Sequence, residues 1–462
     1  MRVSRPPMPV PGQFITLAAD GTHLINSITN KPVFMTGDAP QLLIVQVSDE
    51  DVETYLADRA ARKFNALWVL AADNADQANA PKNFYGEVPF SGPDFTNPNE
   101  KYWAHVDHVV QRAQAYGITL LMNPAFVGLD AKGGYVESYL KTSDEVVKVF
   151  GEWVGARYKN YPNIIWQIGG DSNTVKNKGL KPKLLQLVTG LATTDTNHLI
   201  TSEECPIGLC GVGFNSTLDV WDGSPWVGLN GNYAPYAYAQ TQCAAQYSKL
   251  STYPTVPPFH MEDWYEAEHA MTELQLRQEA YWEILSGCYL GRFFGNNAIW
   301  TMGGPKDVMG QTWQSQLGSP GSLGQQYLGK LMRSREHWLM VPDVNHTALI
   351  SGYGWGTTIS VAARSSDGQT IIVYIPNGNA ATIKLDMGKL TSKGLQATGW
   401  WFNPRAGEAT RIGTFPNTGE RDFTAPDSND WALVIDDATA SLPAPGKSEE
   451  TAERLRAIAR NP

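Results

Sequence analysis

The chain has 462 residues, of which 42% are hydrophobic and 18% charged, so it is too apolar for a disordered protein and long enough for two or three domains. Its 36 Lys and Arg residues against 46 Asp and Glu residues give a net charge of -10, which disfavours nucleic acid and anionic membranes as partners. No apolar run is long enough for membrane insertion as a spanning helix.

The N-terminus and the cysteines bear on the cellular compartment. Residues 1–11 carry two Arg and four Pro and lack the apolar stretch of a secretory signal, so we expect either a cytoplasmic protein or a secreted or periplasmic one whose leader is absent. The four cysteines, Cys205, Cys210, Cys243 and Cys288, have no zinc-site spacing. They could form two disulfides, and the sequence leaves the pairing open.

From residue 31 onward, short apolar runs alternate with helical patterns, which is typical of strand-helix units in a parallel sheet. The predicted helices lie near 48–60, 98–116, 144–158, 272–285 and 323–335. The predicted strands are 32–38, 64–73, 118–123, 163–171, 199–202, 226–230, 259–262 and 293–300. Eight strands favour an α/β fold with a (β/α)8 TIM barrel over residues 13–340, and an open doubly wound sheet is the alternative.

The pattern changes near Pro342 to short β-branched and aromatic runs separated by turn pairs such as Asp367-Gly368. These runs predict strands at 348–351, 358–363, 370–375, 382–385, 396–402 and 431–435. We therefore expect a C-terminal antiparallel β-sandwich over residues 341–440, followed by a linker and charged tail over 441–462.

The predicted strand ends are rich in carboxylates and amides, and catalytic groups of a parallel barrel lie at these ends. No zinc ligand set, phosphate-binding loop or serine-hydrolase elbow emerges, so neither a metal nor a cofactor is expected. Asp171 after the fourth strand and Glu262 after the seventh would face each other across the mouth. Two facing carboxyl groups can cleave a glycosidic bond, because one protonates the leaving oxygen while the other attacks or activates water.

Each candidate acid also has a structural interpretation. Asp171 follows two glycines and could be a helix cap or Asx-turn, and Glu262 could be an ion-pair partner. Glu203 and Glu204 form a competing pair, of which at most one can enter the mouth because neighbouring strand residues point to opposite faces.

Several segments around these acids resemble the apiosidase-like glycoside hydrolases, a barrel family also labelled endoglucanases. The matching segments are TGDAP (36–40), 58–65, 98–103, 157–166 with GGD (169–171), 262–266 and 298–300. Residues 401–405 and 430–435 resemble the C-terminal module of that family, which is named after collagen binding by a collagenase. The resemblance covers residues 13–437.

The resemblance implies that Asp171 is the general acid/base and Glu262 the nucleophile of a retaining double displacement on a plant or microbial glycan, with a pentofuranoside as one candidate substrate. The chain departs from the family at His260-Met-Glu-Asp263, where relatives have Asp-Gly-Glu-Pro, and at Asn296-Asn297, where they have two histidines. These departures leave the sugar open.

Further residues at the strand ends are candidates for binding an oligosaccharide or polysaccharide. The side chains expected to hydrogen-bond or stack on the sugar are Asp38, Asn123, Asn230, Trp264, Asn297 and Trp300. Turns at a barrel rim also need Asn and Asp, which is the structural alternative. The alternative function is a non-catalytic carbohydrate-binding protein. A third hypothesis, collagen binding through the sandwich, rests only on the name of the C-terminal module.

Overall fold

The structure, a computed structural model, describes residues 15–129, 133–206, 210–211, 216–308, 310–377, 382–391 and 394–447. Within these ranges an eight-stranded parallel sheet is followed by antiparallel sheets, which confirms the predicted (β/α)8 barrel and β-sandwich. Residues 13 and 14 and the predicted tail beyond residue 447 lie outside the described residues. None of the described helices is both long and apolar enough to cross a bilayer.

The barrel follows a short antiparallel hairpin made of β1 (Ile15–Leu17) and β2 (Leu24–Asn26). The barrel strands are β3 (Met35–Asp38), β4 (Ala66–Leu70), β5 (Thr119–Asn123), β6 (Ile164–Ser172), β7 (Ile200–Glu204), β8 (Asn230–Tyr233), β9 (Pro258–Glu262) and β10 (Gly291–Phe294). They pair in the order β7-β6-β5-β4-β3-β10-β9-β8. The Gly228 N–H donates to the Ile200 carbonyl at 2.9 Å, which nearly closes the sheet between β7 and β8 and excludes the open-sheet alternative.

Helices cover the outside of the barrel, and several begin at capping side chains. The Ser48 hydroxyl accepts from Asp51 N–H at 3.2 Å, and Thr272 forms a reciprocal capping box with Gln275. The helices are α1 (Leu43–Gln46), α2 (Asp49–Ala61), α3 (Glu100–Ala115), α4 (Val136–Lys141), α5 (Asp144–Tyr158), α6 (Leu180–Thr194), α7 (Thr217–Val220), α8 (Ala239–Ser248), α9 (Glu273–Leu285), α10 (Asn297–Thr301), α11 (Trp313–Gln316) and α12 (Pro320–Arg333). Strands such as β4 are buried on both faces, as a helix-covered barrel requires.

Two strand boundaries differ from the prediction and change which residues reach the mouth of the barrel. The sixth strand, predicted at 226–230, is Asn230–Tyr233, so Asn230 begins the strand instead of ending it. The eighth strand, predicted at 293–300, ends at Phe294. It ends there because the Asn296 side chain accepts hydrogen bonds from the N–H groups of Ala298 and Ile299 and starts α10.

The C-terminal module consists of two antiparallel sheets. Its strands are β11 (Met340–Pro342), β12 (Leu349–Ser351), β13 (Val361–Ser365), β14 (Thr370–Ile375), β15 (Thr382–Asp386), β16 (Gln396–Asn403), β17 (Glu408–Pro416), β18 (Glu420–Thr424) and β19 (Trp431–Asp437). One sheet has the order β11-β13-β14-β19-β16-β17 and the other β12-β15-β18. The polar sequences of β17 and β18 explain why apolar patterning did not predict these two strands.

The sandwich packs against the barrel helices α9 and α12 through a shared apolar core and buried ion pairs. The rings of Tyr281 and Tyr374 stack with their centroids 4.4 Å apart. The Arg335 guanidinium donates to both carboxylate oxygens of Asp436, at 2.8 and 2.6 Å, and both side chains are buried. The two modules therefore share a buried apolar core.

We expect Asp436→Asn to lower the free energy of unfolding by about 3 kcal/mol, because it leaves the buried Arg335 charge without a countercharge. Urea unfolding followed by tryptophan fluorescence measures the effect. Glu420→Gln is the matched control, since the Lys384–Glu420 pair is 3.3 Å apart but solvent-exposed and should matter little. Equal stability of the two variants would contradict the prediction.

All four cysteines are paired in the structure, which resolves the pairing that the sequence left open. Cys205 pairs with Cys210 in the segment after β7. Cys243 of α8 pairs with Cys288, which precedes β10. The second pair ties α8, which follows β8, to the turn that leads into β10.

Candidate active site

Three carboxyl groups converge at the carboxyl-terminal mouth of the barrel. Asp171 comes from β6, Glu203 from β7 and Glu262 from β9, and one carboxylate oxygen of each lies within 4.8 Å of those of the other two. Asp171 and Glu262, the predicted pair, are thus neighbours in space. Glu203 is the member of the competing pair that joins them.

A bulge at the end of β6 positions Asp171. The pairing of β6 with β7 shifts between Gly169 and Ser172, and residues 169, 170 and 171 have φ values of 88°, 95° and 48°. A Cβ on Gly170 would lie 2.3 Å from the Phe126 ring, and one on Gly169 would lie 2.4 Å from the Glu203 carbonyl oxygen. Only glycine fits at both positions, which explains the Gly-Gly-Asp sequence.

A second irregularity, in β9, brings Glu262 into the mouth. The register with β8 shifts between Asn232, which pairs with His260, and Tyr233, which pairs with Glu262. Met261 packs inside the barrel, and the imidazole of His260 lies 3.2 Å from the Glu283 carboxylate of the outer helix α9. Glu262 therefore ends the strand at the mouth, where it is 9% exposed.

The three carboxyl groups share a buried environment that favours their protonated forms. Burial raises the pKa of Asp171 to about 6, helped by repulsion from Asp76 and opposed by Lys306. Burial raises the pKa of Glu203 to about 8, and burial together with repulsion from Glu203 raises the pKa of Glu262 well above its ordinary value. Two anions this close repel each other, which favours a state in which the Glu203–Glu262 pair shares a proton.

Amide side chains below the mouth support this arrangement. Gln167 Nε2 donates to Glu203 Oε2 at 2.8 Å. Asn123 Nδ2 donates to Gln167 Oε1 at 2.6 Å and to the Gly169 carbonyl at 2.8 Å. Asn123, predicted to bind sugar, is fully buried, and its amide nitrogen already donates both of these bonds. Its contact with a sugar stays a prediction.

Two other predicted binding residues lie away from the three acids. The Asp38 carboxylate faces α2, where it accepts from Tyr55 at 2.5 Å and lies 2.9 Å from Arg59 Nε. Asn230 begins β8, and its amide bonds to Leu218 N–H at 3.0 Å and Gln246 at 3.1 Å. Both are fully buried because they face outer helices, and the expectation that Asn230 ends its strand is wrong. The predicted sugar contacts of these two residues gain no support from the structure.

The remaining predicted binding residues lie at the mouth. Asn297 and Trp300 line a cavity of about 440 Å³ together with Glu268, His269 and Lys306. Asn297 Nδ2 and Trp300 Nε1 both donate to Glu268 Oε1, at 2.7 and 2.8 Å. Trp264 stacks on His269 with ring centroids 4.5 Å apart. The cavity thus combines aromatic faces with hydrogen-bonding groups, as sugar-binding sites do.

The described residues contain three groups of side chains whose atoms lie close enough to hold a metal ion. Cys243 and Cys288 of one group are bonded to each other, so they offer no thiolate. The group of His260, Asp263 and Glu283 is occupied by the Arg292 guanidinium, which bonds to both carboxylates. The oxygens of Asp171, Glu203 and Glu262 are the set that a hard cation such as Ca²⁺ would suit.

Sequence patterns alone could not identify every group at the mouth. Because adjacent residues of a strand point to opposite faces, only one of Glu203 and Glu204 can face the barrel mouth, but the sequence does not show which one. In the structure Glu204 faces away from the other acids and accepts hydrogen bonds from Ser172, Ser202 and Trp221. The hydroxyl of Tyr265 interacts with Glu262 and accepts from Gln41 at 2.7 Å. Tyr265 lies in the segment 262–266 that resembles the family, but no role was predicted for it.

Comparison with known proteins supports the fold. One solved glycoside hydrolase is 22% identical with a TM-score of 0.78, and the match covers 94% of this chain and 99% of the other. A glycoside hydrolase family 5 structure from Bacteroides vulgatus ATCC 8482 is 21% identical with a TM-score of 0.78, covering 94% and 96% of the two chains. No curated protein matched the sequence.

The barrel with its appended sandwich is the fold of these solved glycoside hydrolases. The family described as "Apiosidase-like, catalytic domain" matches residues 19–339, and the chain belongs to this family. Residues 342–436 match a module described as a collagen-binding domain of a collagenase. The resemblance found in the sequence is therefore confirmed.

Proposed function

We propose that the protein is a retaining glycoside hydrolase that cleaves O-glycosidic bonds of a plant or microbial oligosaccharide or polysaccharide, with pentofuranosides among the candidate substrates. The observation that carries the proposal is the approach of the Asp171 and Glu262 oxygens to within 4.8 Å of each other. Retaining enzymes hold their carboxyl groups about 5 to 5.5 Å apart, whereas inverting enzymes need about 6.5 to 9.5 Å for a water molecule. An approach of one oxygen from each group to within 4.8 Å fits the shorter separation better, so we propose direct attack by a carboxylate.

In this mechanism Asp171 is the general acid and Glu262 the nucleophile. Asp171, with a pKa of about 6, donates its proton to the leaving oxygen while the Glu262 carboxylate attacks the anomeric carbon and forms a glycosyl ester. Asp171, now ionised, then takes a proton from water, which attacks the same carbon and releases Glu262. The bulge at residues 169–171 brings the short Asp side chain close to the leaving group.

Glu203 completes the proposed mechanism as a positioning residue. Glu262 must be ionised to attack, yet it lies in a buried site beside two other acids. For the attack, the proton that Glu203 and Glu262 share must lie on Glu203, which then donates a hydrogen bond to the Glu262 carboxylate and removes the repulsion between them. Tyr265 also favours the ionised form of Glu262, because its interaction with Glu262 lowers the pKa of that carboxyl.

A screen of aryl pentosides and hexosides, followed by NMR of the first sugar released, tests the function. We expect the anomeric configuration of the product to match that of the substrate, because two inversions at one carbon restore it. A product of inverted configuration would exclude the double displacement. Prior dialysis against EDTA should leave the rate unchanged, whereas a loss restored by Ca²⁺ would assign the three oxygens to a metal.

A non-catalytic carbohydrate-binding protein is the second candidate, and the residues around Glu262 that depart from the family pattern favour it. Calorimetric binding of an oligosaccharide without any product after prolonged incubation would support this candidate over the hydrolase.

A further inference from the structure

Trp355 of the sandwich exposes 83% of its surface, far more than a tryptophan usually does. The segment from Gly352 to Gly356 also presents Tyr353, which is 37% exposed and stacks on His346 with ring centroids 3.8 Å apart. Water contact with so large an apolar face is unfavourable. A flat, exposed indole suits the C–H face of a sugar ring.

The segment that carries Trp355 is held in a defined conformation. Gly352, Gly354 and Gly356 have φ values of 78°, 64° and 56°, which glycine adopts without strain. The Thr358 N–H and hydroxyl both donate to the Trp355 carbonyl, at 3.1 and 2.9 Å. The indole is thus presented by a backbone that is already ordered, which reduces the entropic cost of binding a ligand.

The same segment is anchored to the barrel. Gln278 Nε2 of α9 donates to the Thr357 carbonyl at 2.7 Å, and Trp282 Nε1 donates to the Ile359 carbonyl at 2.9 Å. The position of Trp355 is therefore fixed relative to the catalytic domain by hydrogen bonds on its C-terminal side.

A cleft of about 490 Å³ lies beside this segment, between the sandwich and the barrel. Its lining includes Thr357 and Thr358 from the segment, Tyr236 and Gln275 from the barrel, and Asn429 from the sandwich. These hydroxyl and amide groups are the partners that sugar hydroxyls use.

The charges in the cleft are already compensated. The Arg277 guanidinium donates to both oxygens of Asp430, at 2.8 and 3.0 Å. The cleft therefore offers neither an unpaired cation to a polyanion nor an unpaired anion to a basic peptide, and its chemistry suits a neutral polyhydroxylated ligand.

The cleft opens at the catalytic end of the barrel. Tyr236 follows the end of β8 by three residues, and Gln275 lies in the first turn of α9, the helix that follows Glu262. Both elements leave the barrel at the ends of strands that form the mouth. A ligand in the cleft is therefore on the same side of the molecule as the three acids.

We propose that Trp355 and the adjoining cleft form an accessory binding site for a neutral polysaccharide, distinct from the catalytic mouth. The indole stacks on a sugar ring while the amides and hydroxyls of the cleft bond to neighbouring residues of the same glycan. The site would hold a polymer at the catalytic end of the barrel, and this inference goes beyond the proposed hydrolysis because binding here needs no catalysis.

Affinity electrophoresis in gels containing arabinan, galactan, xylan, β-glucan or gelatin tests the proposal, with Glu262→Gln as the parent so that no ligand is consumed. We expect at least one neutral polysaccharide to retard the parent, and Trp355→Ala to weaken the apparent affinity about tenfold, the effect of losing one stacked ring. Trp355→Tyr, which keeps an aromatic face, should recover most of the retardation.

Leu395→Ala is the matched control, because Leu395 is an equally exposed apolar residue of the sandwich, at 83%. It should migrate like the parent, and both alanine variants should melt at the parent temperature. The proposal is overturned if no polysaccharide retards the parent, if Trp355→Ala is retarded as strongly as Leu395→Ala, or if gelatin alone gives Trp355-dependent retardation. Because this readout is independent of hydrolysis, an inactive enzyme that still binds through Trp355 would refute only the proposed function.

Discussion

Glu262→Ala should lower kcat on an aryl glycoside by about 10⁴-fold or more, since it removes the group that forms the covalent intermediate. The expectation rests on the position of Glu262 at the end of β9, with a carboxylate oxygen within 4.8 Å of an oxygen of each of the two other acids. Steady-state kinetics with a chromogenic substrate found in the glycoside screen measures the effect. Full activity of this variant would remove Glu262 from the role of nucleophile.

Azide distinguishes the roles of the two acids. In Glu262→Ala, azide should occupy the space of the lost carboxylate and yield a glycosyl azide of inverted configuration. In Asp171→Ala, a substrate with a good leaving group should still form the intermediate, and azide should give a product of retained configuration. For a poor leaving group, which needs protonation, Asp171→Ala should lose about 10² to 10⁴-fold in rate.

Glu266→Gln is the control for these variants. Glu266 lies only four residues after Glu262, but its carboxylate accepts from Gly321 N–H at 3.0 Å and Asn296 at 2.9 Å. The two bonds go to different carboxylate oxygens, so the single amide oxygen of glutamine keeps only one of them and the variant should lose some stability. Neither donor belongs to the three acids of the mouth, so the folded variant should keep most of the activity of the unmodified protein. A large loss in Glu266→Gln would show that any disturbance near the mouth abolishes activity, which would weaken the assignment of Glu262.

Glu203→Ala and Glu203→Gln should differ sharply in activity. Alanine removes a hydrogen bond to the ionised Glu262, a contribution of about 1.5 to 3 kcal/mol, so kcat/KM should fall at least tenfold. Glutamine can donate the same hydrogen bond without titrating, so kcat/KM near pH 6 should stay within about threefold of the unmodified protein. Equal losses in the two variants would mean that Glu203 only fills space.

The pH dependence gives a second measure of the role of Glu203. Asp171 must be protonated, so with its pKa raised to about 6 the rate should fall as the pH rises above that value. In the unmodified protein the loss of the Glu203 proton, near pH 8, adds a second descending step. Glu203→Gln removes this group, so its alkaline limb should fall with a single ionisation.

Glu204→Gln is the matched control for the pH experiment. It is the next residue along β7, it is also buried, and burial raises its pKa to about 7. Its carboxylate is bonded to Ser202, Ser172 and Trp221, away from the other acids. Repulsion from Glu204 contributes to the raised pKa of Glu203, so in Glu204→Gln the second descending step of kcat/KM should stay but move to a somewhat lower pH. Loss of the second step in this variant would assign it to Glu204 instead.

The periodicity of the sequence was sufficient to predict the barrel and the sandwich, because apolar runs bounded by glycine and proline report local burial. The ends of some strands were predicted less accurately than the fold. The strand predicted at 226–230 begins only at Asn230, because a buried polar run such as Asn-Gly-Asn looks unlike a strand until its side chains find partners in other elements. The sandwich strands β17 and β18 escaped prediction for a related reason, since their mostly exposed residues lack an apolar pattern.

Sequence alone determined that Asp171 and Glu262 follow the fourth and seventh strands of a barrel, which is enough to expect them at one mouth. Only the tertiary structure decided that Glu203 joins them and that Asp38 and Asn230 face outer helices. The physical reason is that side-chain direction at a strand end depends on bulges and on contacts between residues far apart in the chain. The bulges at Gly169–Ser172 and at His260–Glu262 each shift the register by amounts that no local pattern encodes.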